Sequence, residues 1–174
     1  MLTNNQKQVV YQAISAIIFC SAFVIISYHF FPFKLPTMPN TVDRFTFTIR
    51  CELFPLLMFL AGVCTVGNIR FFSDAIDGSR NNKNVEIHLR YLQNTLEQFV
   101  LLFVGHLILC SYLLSHQMKL IPILVTLFII GRITFWTGYL KSPTTRAFGF
   151  GTTFYPIVIV LGYDLYCLVC SMIK

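Results

Sequence analysis

Five long apolar stretches divide this sequence and leave only short polar segments between them. They cover residues 9–31, 51–72, 89–115, 120–140 and 147–173. Each has about 20 residues or more, enough for a helix to cross a hydrocarbon core about 30 Å thick. Charged residues are 11% of the chain, whereas soluble domains contain about 25%. The sequence therefore predicts an all-α integral membrane protein with five spans.

The links between the later stretches are short. Only a few residues separate the apolar stretches after Ser115 and after Leu140, so the helices on either side of each link must be antiparallel neighbours. The net charge of +6 is spread over the ends of the stretches, with no basic soluble surface for a nucleic acid. We therefore predict contacts with membrane lipids and no nucleic-acid partner.

The first apolar stretch admits two interpretations. Lys7 precedes it, as in a signal peptide, but the stretch is long and has no clear small-x-small cleavage pattern before its aromatic end. We predict a retained span. With the N-terminus in the cytosol, the loop cations show a slight positive-inside bias.

The six cysteines do not suggest a metal site. Cys167 and Cys170 form a C-x-x-C pair, but no histidine or second pair accompanies them at the spacing of zinc ligands. Free cysteine inside an apolar span behaves as a small hydrophobic residue. We predict packing roles and no metal.

A polar stripe interrupts the start of the third apolar stretch. At about 100° per residue, Arg90, Asn94 and Glu97 fall on one helix face, with Gln93 beside it. An ionisable side chain inside a bilayer costs on the order of 3 kcal/mol, so such residues normally face a bundle interior, a cavity or each other. A hydrogen bond between helices is the structural alternative, especially for Asn94. Glu97 favours a functional site most strongly, because a lone carboxylate requires a cation.

A second polar group lies in the fourth stretch and the turn that follows. Arg132, Trp136 and Tyr139 share a helix face. Ser142 and Pro143 are typical of an N-cap and first helical residue, which would place Arg146 in the first turn of the last helix. The structural alternative for Trp136 and Tyr139 is a belt of aromatic residues at the membrane interface. The structural alternative for the arginines, including Arg70 at the end of the second stretch, is contact with lipid headgroups.

Together these residues resemble the MAPEG superfamily, membrane-associated proteins in eicosanoid and glutathione metabolism. The similarity covers the chain from about Arg50 onward. Four elements carry the similarity. They are the motif Arg90-x-x-x-Asn94-x-x-Glu97, residues 67–70 at the end of the family's first helix, residues 85–90 leading into its second helix, and the set Arg132, Tyr139 and Arg146. The additional N-terminal span and the sequence of residues 93–98 resemble the mattrin-like branch. Members of that branch are implicated in membrane trafficking and receptor turnover.

This resemblance implies a homotrimer of four-helix protomers that binds glutathione between subunits, near the cytosolic face. Residues 49–174 would be the four-helix domain, and residues 1–48 an N-terminal segment with the additional helix. The implied glutathione-binding residues are Arg70, Arg90, Gln93, Asn94, Glu97, Arg132 and Tyr139. Arg146 would be catalytic, since a guanidinium beside a thiol with a pKa of about 8.5 favours the nucleophilic thiolate.

Two functions stay open at this point. The first is a microsomal-type glutathione transferase or peroxidase acting on lipophilic electrophiles or lipid hydroperoxides. The alternative is a non-enzymatic adaptor or trafficking regulator on the same scaffold. Phe135 stands where relatives often have a polar ring, and Ala147 where some prostaglandin-synthesising relatives have a hydroxyl. For either function we expect a multi-pass protein of the endoplasmic reticulum or another endomembrane.

Overall fold

The protein is described by a computed structural model over residues 3–30, 32, 34–73, 76, 78, 83–142 and 144–173, with backbone alone at 83–84. Every regular element in these ranges is helical. Six α-helices and one short 3₁₀ helix follow in order: α1 (Asn4–Phe30), α2 (Thr41–Cys51), α3 (Leu53–Phe71), α4 (Lys83–Tyr112), the 3₁₀ helix (Ser115–Gln117), α5 (Leu120–Lys141) and α6 (Ala147–Ile173).

Five segments are long and apolar enough to span a membrane, which confirms the predicted number of spans. They are Asn4–Phe30, Thr41–Phe71, Val85–Tyr112, Ser115–Lys141 and Ala147–Ile173. Only helices and closed barrels satisfy their backbone polar groups in lipid, so apolar stretches of this length fold as helices. The second span begins ten residues earlier than predicted, because α2 precedes α3 with a break at Glu52.

Proline positions explain two local features of the helices. Pro55 has no N–H to donate to the carbonyl four residues earlier, at the junction where α2 ends and α3 begins. Pro156 lies inside α6 and leaves the carbonyl of Thr152 without its helical donor. Cys20 of α1 occupies that position, with its Sγ 3.6 Å from the Thr152 oxygen.

The N-terminal helix packs along α6 in the same direction. The side-chain oxygen of Gln12 accepts the N–H of Phe148 at 3.2 Å, and the rings of Phe19 and Phe148 lie 5.7 Å apart. Further along, Lys119 Nζ donates to the carbonyl of Tyr28 at 2.7 Å. The additional span is therefore part of the bundle. The proposed division at residues 48 and 49 stays a prediction, and so does the homotrimer.

Helices α5 and α6 approach most closely at their glycines. A β-carbon on Gly149 would lie 2.1 Å from the backbone nitrogen of Phe135. A β-carbon on Gly138 would lie 2.7 Å from the carbonyl oxygen of Thr145. The backbones of the two helices can therefore be this close only because these positions have no side chain.

Replacing Gly149 with alanine is expected to lower the free energy of unfolding by about 2 to 3 kcal/mol, because the new methyl group meets backbone that cannot rotate away. Unfolding in mild detergent measures the change. Gly67→Ala is the matched control: no atom lies within 4 Å of its added β-carbon. In a helix interior that change should be neutral or stabilise by up to about 1 kcal/mol. Equal stability of Gly149→Ala and wild type would contradict the packing.

Candidate functional site

Four of the predicted site residues lie at one end of the bundle, which we call the arginine-rich end. Helix α3 ends there with Arg70, and the antiparallel α4 begins there with Arg90 in its second turn. Helix α5 brings Tyr139 to the same end, and Arg146 precedes α6. The antiparallel order predicted from the short links is thus what brings residues distant in sequence together.

Arg90 joins two helices at this end. Its Nη2 donates to Glu86 Oε1 at 2.5 Å, and its Nη1 donates to the phenol oxygen of Tyr139 at 3.2 Å. The Arg90 side chain is nevertheless 60% exposed. It therefore has surface available to a ligand while Glu86 and Tyr139 fix its direction.

Glu97 and Gln93 continue the exposed face along α4. Gln93 Nε2 donates to Glu97 Oε1 at 3.2 Å, and both residues are exposed. No described salt bridge neutralises Glu97 within this chain. We call Arg90, Gln93 and Glu97 the polar face. It holds one cation, one amide and one carboxylate on the outside of a candidate membrane span.

Asn94 turns away from the polar face and toward Arg132. Its Oδ1 accepts from Arg132 Nη1 at 2.8 Å. Arg132 is fully buried, with its Nη2 donating to the hydroxyl of Thr153 and its Nε lacking a partner among the described residues. The guanidinium also lies 4.8 Å from the ring centroid of Phe135. This buried cation therefore connects α4, α5 and α6 and holds Asn94 in place.

Arg146 lies over aromatic rings. Its guanidinium carbon is 4.7 Å from the ring centroid of Tyr139 and 6.0 Å from that of Phe135. Tyr139 is only 5% exposed and also accepts the hydrogen bond from Arg90. A single phenol thus lies between the predicted catalytic arginine and the polar face.

Arg70 is half-buried, and none of the described hydrogen bonds joins it to the other site residues. Its predicted part in ligand binding stays a prediction. Seven of the eight predicted residues take part in the contacts described above, in three groups: Arg90, Tyr139 and Arg146; Gln93 and Glu97; and Asn94 and Arg132. They divide into the exposed polar face and a buried support beneath it.

The predicted start of the last helix is wrong. Ser142 ends α5, with its N–H bonded to the carbonyl of Gly138 at 3.0 Å, and α6 begins at Ala147. Arg146 supplies the first helical acceptor, since Phe150 N donates to its carbonyl at 3.0 Å. The Thr145 hydroxyl, bonded to the Gly138 and Ser142 carbonyls, fixes the intervening turn. Pro143 lies outside the described residues.

Two supporting elements were missed in the sequence. Thr153 gave no signal, because a threonine in an apolar helix usually bonds its own backbone. The rings of Tyr91 and Trp136 stack at 4.2 Å, and Trp136 Nε1 lies 3.0 Å from His88 Nδ1. The predicted interfacial role for Trp136 does not include these contacts with Tyr91 and His88, which hold α5 against α4 beside the polar face.

Comparison with known proteins agrees with this architecture. The MAPEG family profile matches residues 49–166. Transmembrane protein 79 of Mus musculus is 31% identical over 154 residues, covering 88% of this chain and 39% of that protein. Transmembrane protein 79 of Bos taurus is 30% identical over 141 residues, covering 80% of this chain and 36% of that protein.

The chain thus spans less than half the length of these curated relatives. No solved structure matches it. The relatives agree with the predicted mattrin-like branch, and the family profile covers four of the five candidate spans wholly or in large part. The chain therefore belongs to the MAPEG family.

Proposed function

We propose that this protein binds glutathione on the polar face, between copies of itself, and acts as a non-enzymatic membrane adaptor. One observation carries the binding proposal: Arg90, Gln93 and Glu97 are exposed within a candidate membrane span. Lipid tails cannot hydrogen-bond these groups, so protein, water or a polar ligand must cover them. A homotrimer would place a neighbouring copy over the face.

The chemistry of glutathione complements this face. The tripeptide carries two carboxylates, one ammonium group and two peptide bonds. Arg90 can form charge-assisted hydrogen bonds to a carboxylate, and Glu97 can accept from the ammonium group. Gln93 can bond a peptide group. Arg70 would contribute a second cation, from the same chain or from the neighbouring copy.

The buried residues would contribute through these contacts. Arg132 holds Asn94 on α4, one residue from Gln93, and Tyr139 fixes the Arg90 guanidinium. Such support keeps the binding groups in place before the ligand arrives, which reduces the entropy lost on binding. We thus assign Asn94, Arg132 and Tyr139 to positioning, beneath the three residues that would touch the ligand.

Two observations favour an adaptor over an enzyme. The matching relatives are named as transmembrane proteins, without a reaction. Phe135 supplies an apolar ring beneath Arg146, where a polar ring would help to hold glutathione. The trafficking role, the endoplasmic reticulum or another endomembrane as location, and the homotrimer belong to the same proposal.

A glutathione transferase or peroxidase is the second candidate, and the position of Arg146 favours it. The guanidinium lies 4.7 Å from the Tyr139 ring, which itself accepts from Arg90 on the polar face. A cation there could stabilise a glutathione thiolate. The thiolate would displace a leaving group such as chloride from a lipophilic electrophile that enters from the bilayer, forming a thioether. With a lipid hydroperoxide it would take up one oxygen, giving an alcohol and a sulfenic acid that a second glutathione converts to the disulfide and water.

Glutathione is expected to raise the thermal stability of the purified protein in detergent. A ligand that binds only the folded state stabilises it by about 2.7 kcal/mol at 100 times its dissociation constant. Glycylglycine, which lacks the γ-glutamyl group, should give no such shift. Absence of a shift with millimolar glutathione would contradict the binding proposal.

A turnover assay separates the two candidates. With a chlorinated aromatic electrophile or a lipid hydroperoxide, we expect the same rate for wild type, Arg146→Ala and protein-free buffer. Turnover that Arg146→Ala abolishes, with the glutathione-dependent stabilisation retained, would overturn the adaptor proposal in favour of the enzyme.

A further inference from the structure

Three ionisable side chains are buried together toward the other end of the bundle. Glu52 lies between α2 and α3, His106 on α4 and Asp164 on α6, with exposures of 3%, 1% and 4%. At about 1.5 Å per residue, His106 lies about 14 Å along α4 from Glu97, the nearest residue of the polar face. The three residues are therefore separate from the polar face, and the proposed function does not use them.

A short hydrogen bond links the first two groups, but the third has no hydrogen-bond partner. His106 Nδ1 lies 2.5 Å from Glu52 Oε1. Asp164 is close enough to His106 for an electrostatic interaction. Neither oxygen of Asp164 has a hydrogen-bond partner among the described residues, and the same holds for Glu52 Oε2 and His106 Nε2.

The surrounding elements do not supply a direct counter-charge for Asp164. From α2, Arg44 donates to the carbonyl of Cys110 and to the hydroxyl of Thr41. The Cys110 thiol, also buried, is a further titratable group of α4 close to Asp164. Beside α5, Lys119 donates to a backbone carbonyl of α1. None of the described salt bridges includes Asp164.

The space next to His106 is small and mostly apolar. A cavity of about 10 Å³ adjoins His106 and is lined by leucine, isoleucine, valine and proline side chains of α4, α5 and α6. This volume is at the lower limit for one water molecule. An ionised carboxylate as buried as that of Asp164 is very costly without a donor or a cation, whereas a protonated carboxyl group is neutral.

We propose that Glu52, His106 and Asp164 form an intramembrane proton-binding site, in which Asp164 holds a proton at neutral pH beside the hydrogen-bonded Glu52–His106 pair. The ligand is the proton. Its release would put an uncompensated charge where α6 packs against α4. The site therefore makes the packing of these helices depend on the pH at the membrane side opposite the arginine-rich end.

Isotope-edited infrared spectroscopy tests the proton directly. The full chain, with ¹³C in its aspartate carboxyl groups, should show at neutral pH a carbonyl band of a protonated carboxylic acid that shifts with the label. The label excludes the glutamates. The band should disappear in Asp164→Asn and persist in Asp43→Asn, the matched control at the start of α2. A wild-type spectrum without a label-sensitive acid band would overturn the proposal, whether or not the variants fold.

The pH dependence of unfolding gives a second test. Asp164 of an unfolded chain is ionised near neutral pH. The folded state would then bind one more proton than the unfolded state, and its stability must fall as pH rises. The contribution of one proton lowers the folding equilibrium constant about tenfold per pH unit. We expect Asp164→Asn to lose this dependence and His116→Gln, an exposed-histidine control, to keep it. Equal pH dependence in wild type and Asp164→Asn would overturn the proposal.

Discussion

Replacing Asn94 with alanine is expected to lower the free energy of unfolding by about 3 kcal/mol, because it leaves part of a buried guanidinium without an acceptor. Arg132 has few other partners: its Nη1 donates to Asn94, its Nη2 donates to Thr153, and its Nε has no hydrogen-bond partner among the described residues. The charge cannot reach water, since the Arg132 side chain is completely buried. Denaturant-induced unfolding in mild detergent measures the effect.

Two further variants separate the lost hydrogen bond from other effects. Gln93→Ala removes the exposed amide next to Asn94 and should change stability by no more than about 0.5 kcal/mol. Arg132→Met removes the buried charge and keeps most of the side-chain volume, so it should cost less than leaving the charge unpaired. In the Arg132→Met background, Asn94→Ala should then have a small effect. A loss of about 3 kcal/mol in that background too would contradict the role given to Arg132.

The number and direction of the spans could be predicted from the sequence because lipid leaves so few alternatives. A long apolar stretch must satisfy its backbone groups internally, and short links require antiparallel neighbours. The start of the second span was predicted at residue 51 because α2 is polar in part, with Asp43, Arg44 and Arg50 among its eleven residues. Hydropathy alone does not join such a segment to the apolar helix that follows.

Periodicity identified the stripe on α4 but not what each residue faces. Arg90 and Glu97 are exposed, while Asn94, at about 40° from Arg90 and about 60° from Glu97 on the helix wheel, bonds Arg132. The outcome depends on where α5 places Arg132, and α5 packs closely on α6 at the glycines. The sequence shows those glycines but not the helices that they bring together.

The buried cluster of Glu52, His106 and Asp164 shows a different limit. The rule that selected Glu97, an ionisable residue inside an apolar span, applies equally to Asp164 and His106. None of the three residues is among the site residues predicted from the sequence. More than 50 residues separate each consecutive pair, so no local pattern indicates that they meet.

Exchanging Glu97 for glutamine is expected to weaken glutathione binding by about 30-fold or more, because an ammonium group would lose its charged partner at a cost of about 2 kcal/mol or more. The substitution should change binding and leave folding unchanged, because Glu97 is exposed. Its one described side-chain hydrogen bond is to Gln93. Isothermal titration of the purified protein with glutathione measures the dissociation constant. Asp43→Asn, which removes a half-buried carboxylate at the far end of the bundle, is the control and should bind as wild type does.

A glutathione analogue without the ammonium group makes the assignment specific. Wild type should bind this analogue about as weakly as Glu97→Gln binds glutathione, and the variant should lose little more when both changes are combined. Such non-additivity is the mark of a direct contact between the two groups. If the two losses instead add, Glu97 acts on binding from a distance, and the ammonium group must be held elsewhere, for example by the neighbouring copy. The polar face would then bind the carboxylates through Arg90 without supplying the matching negative charge.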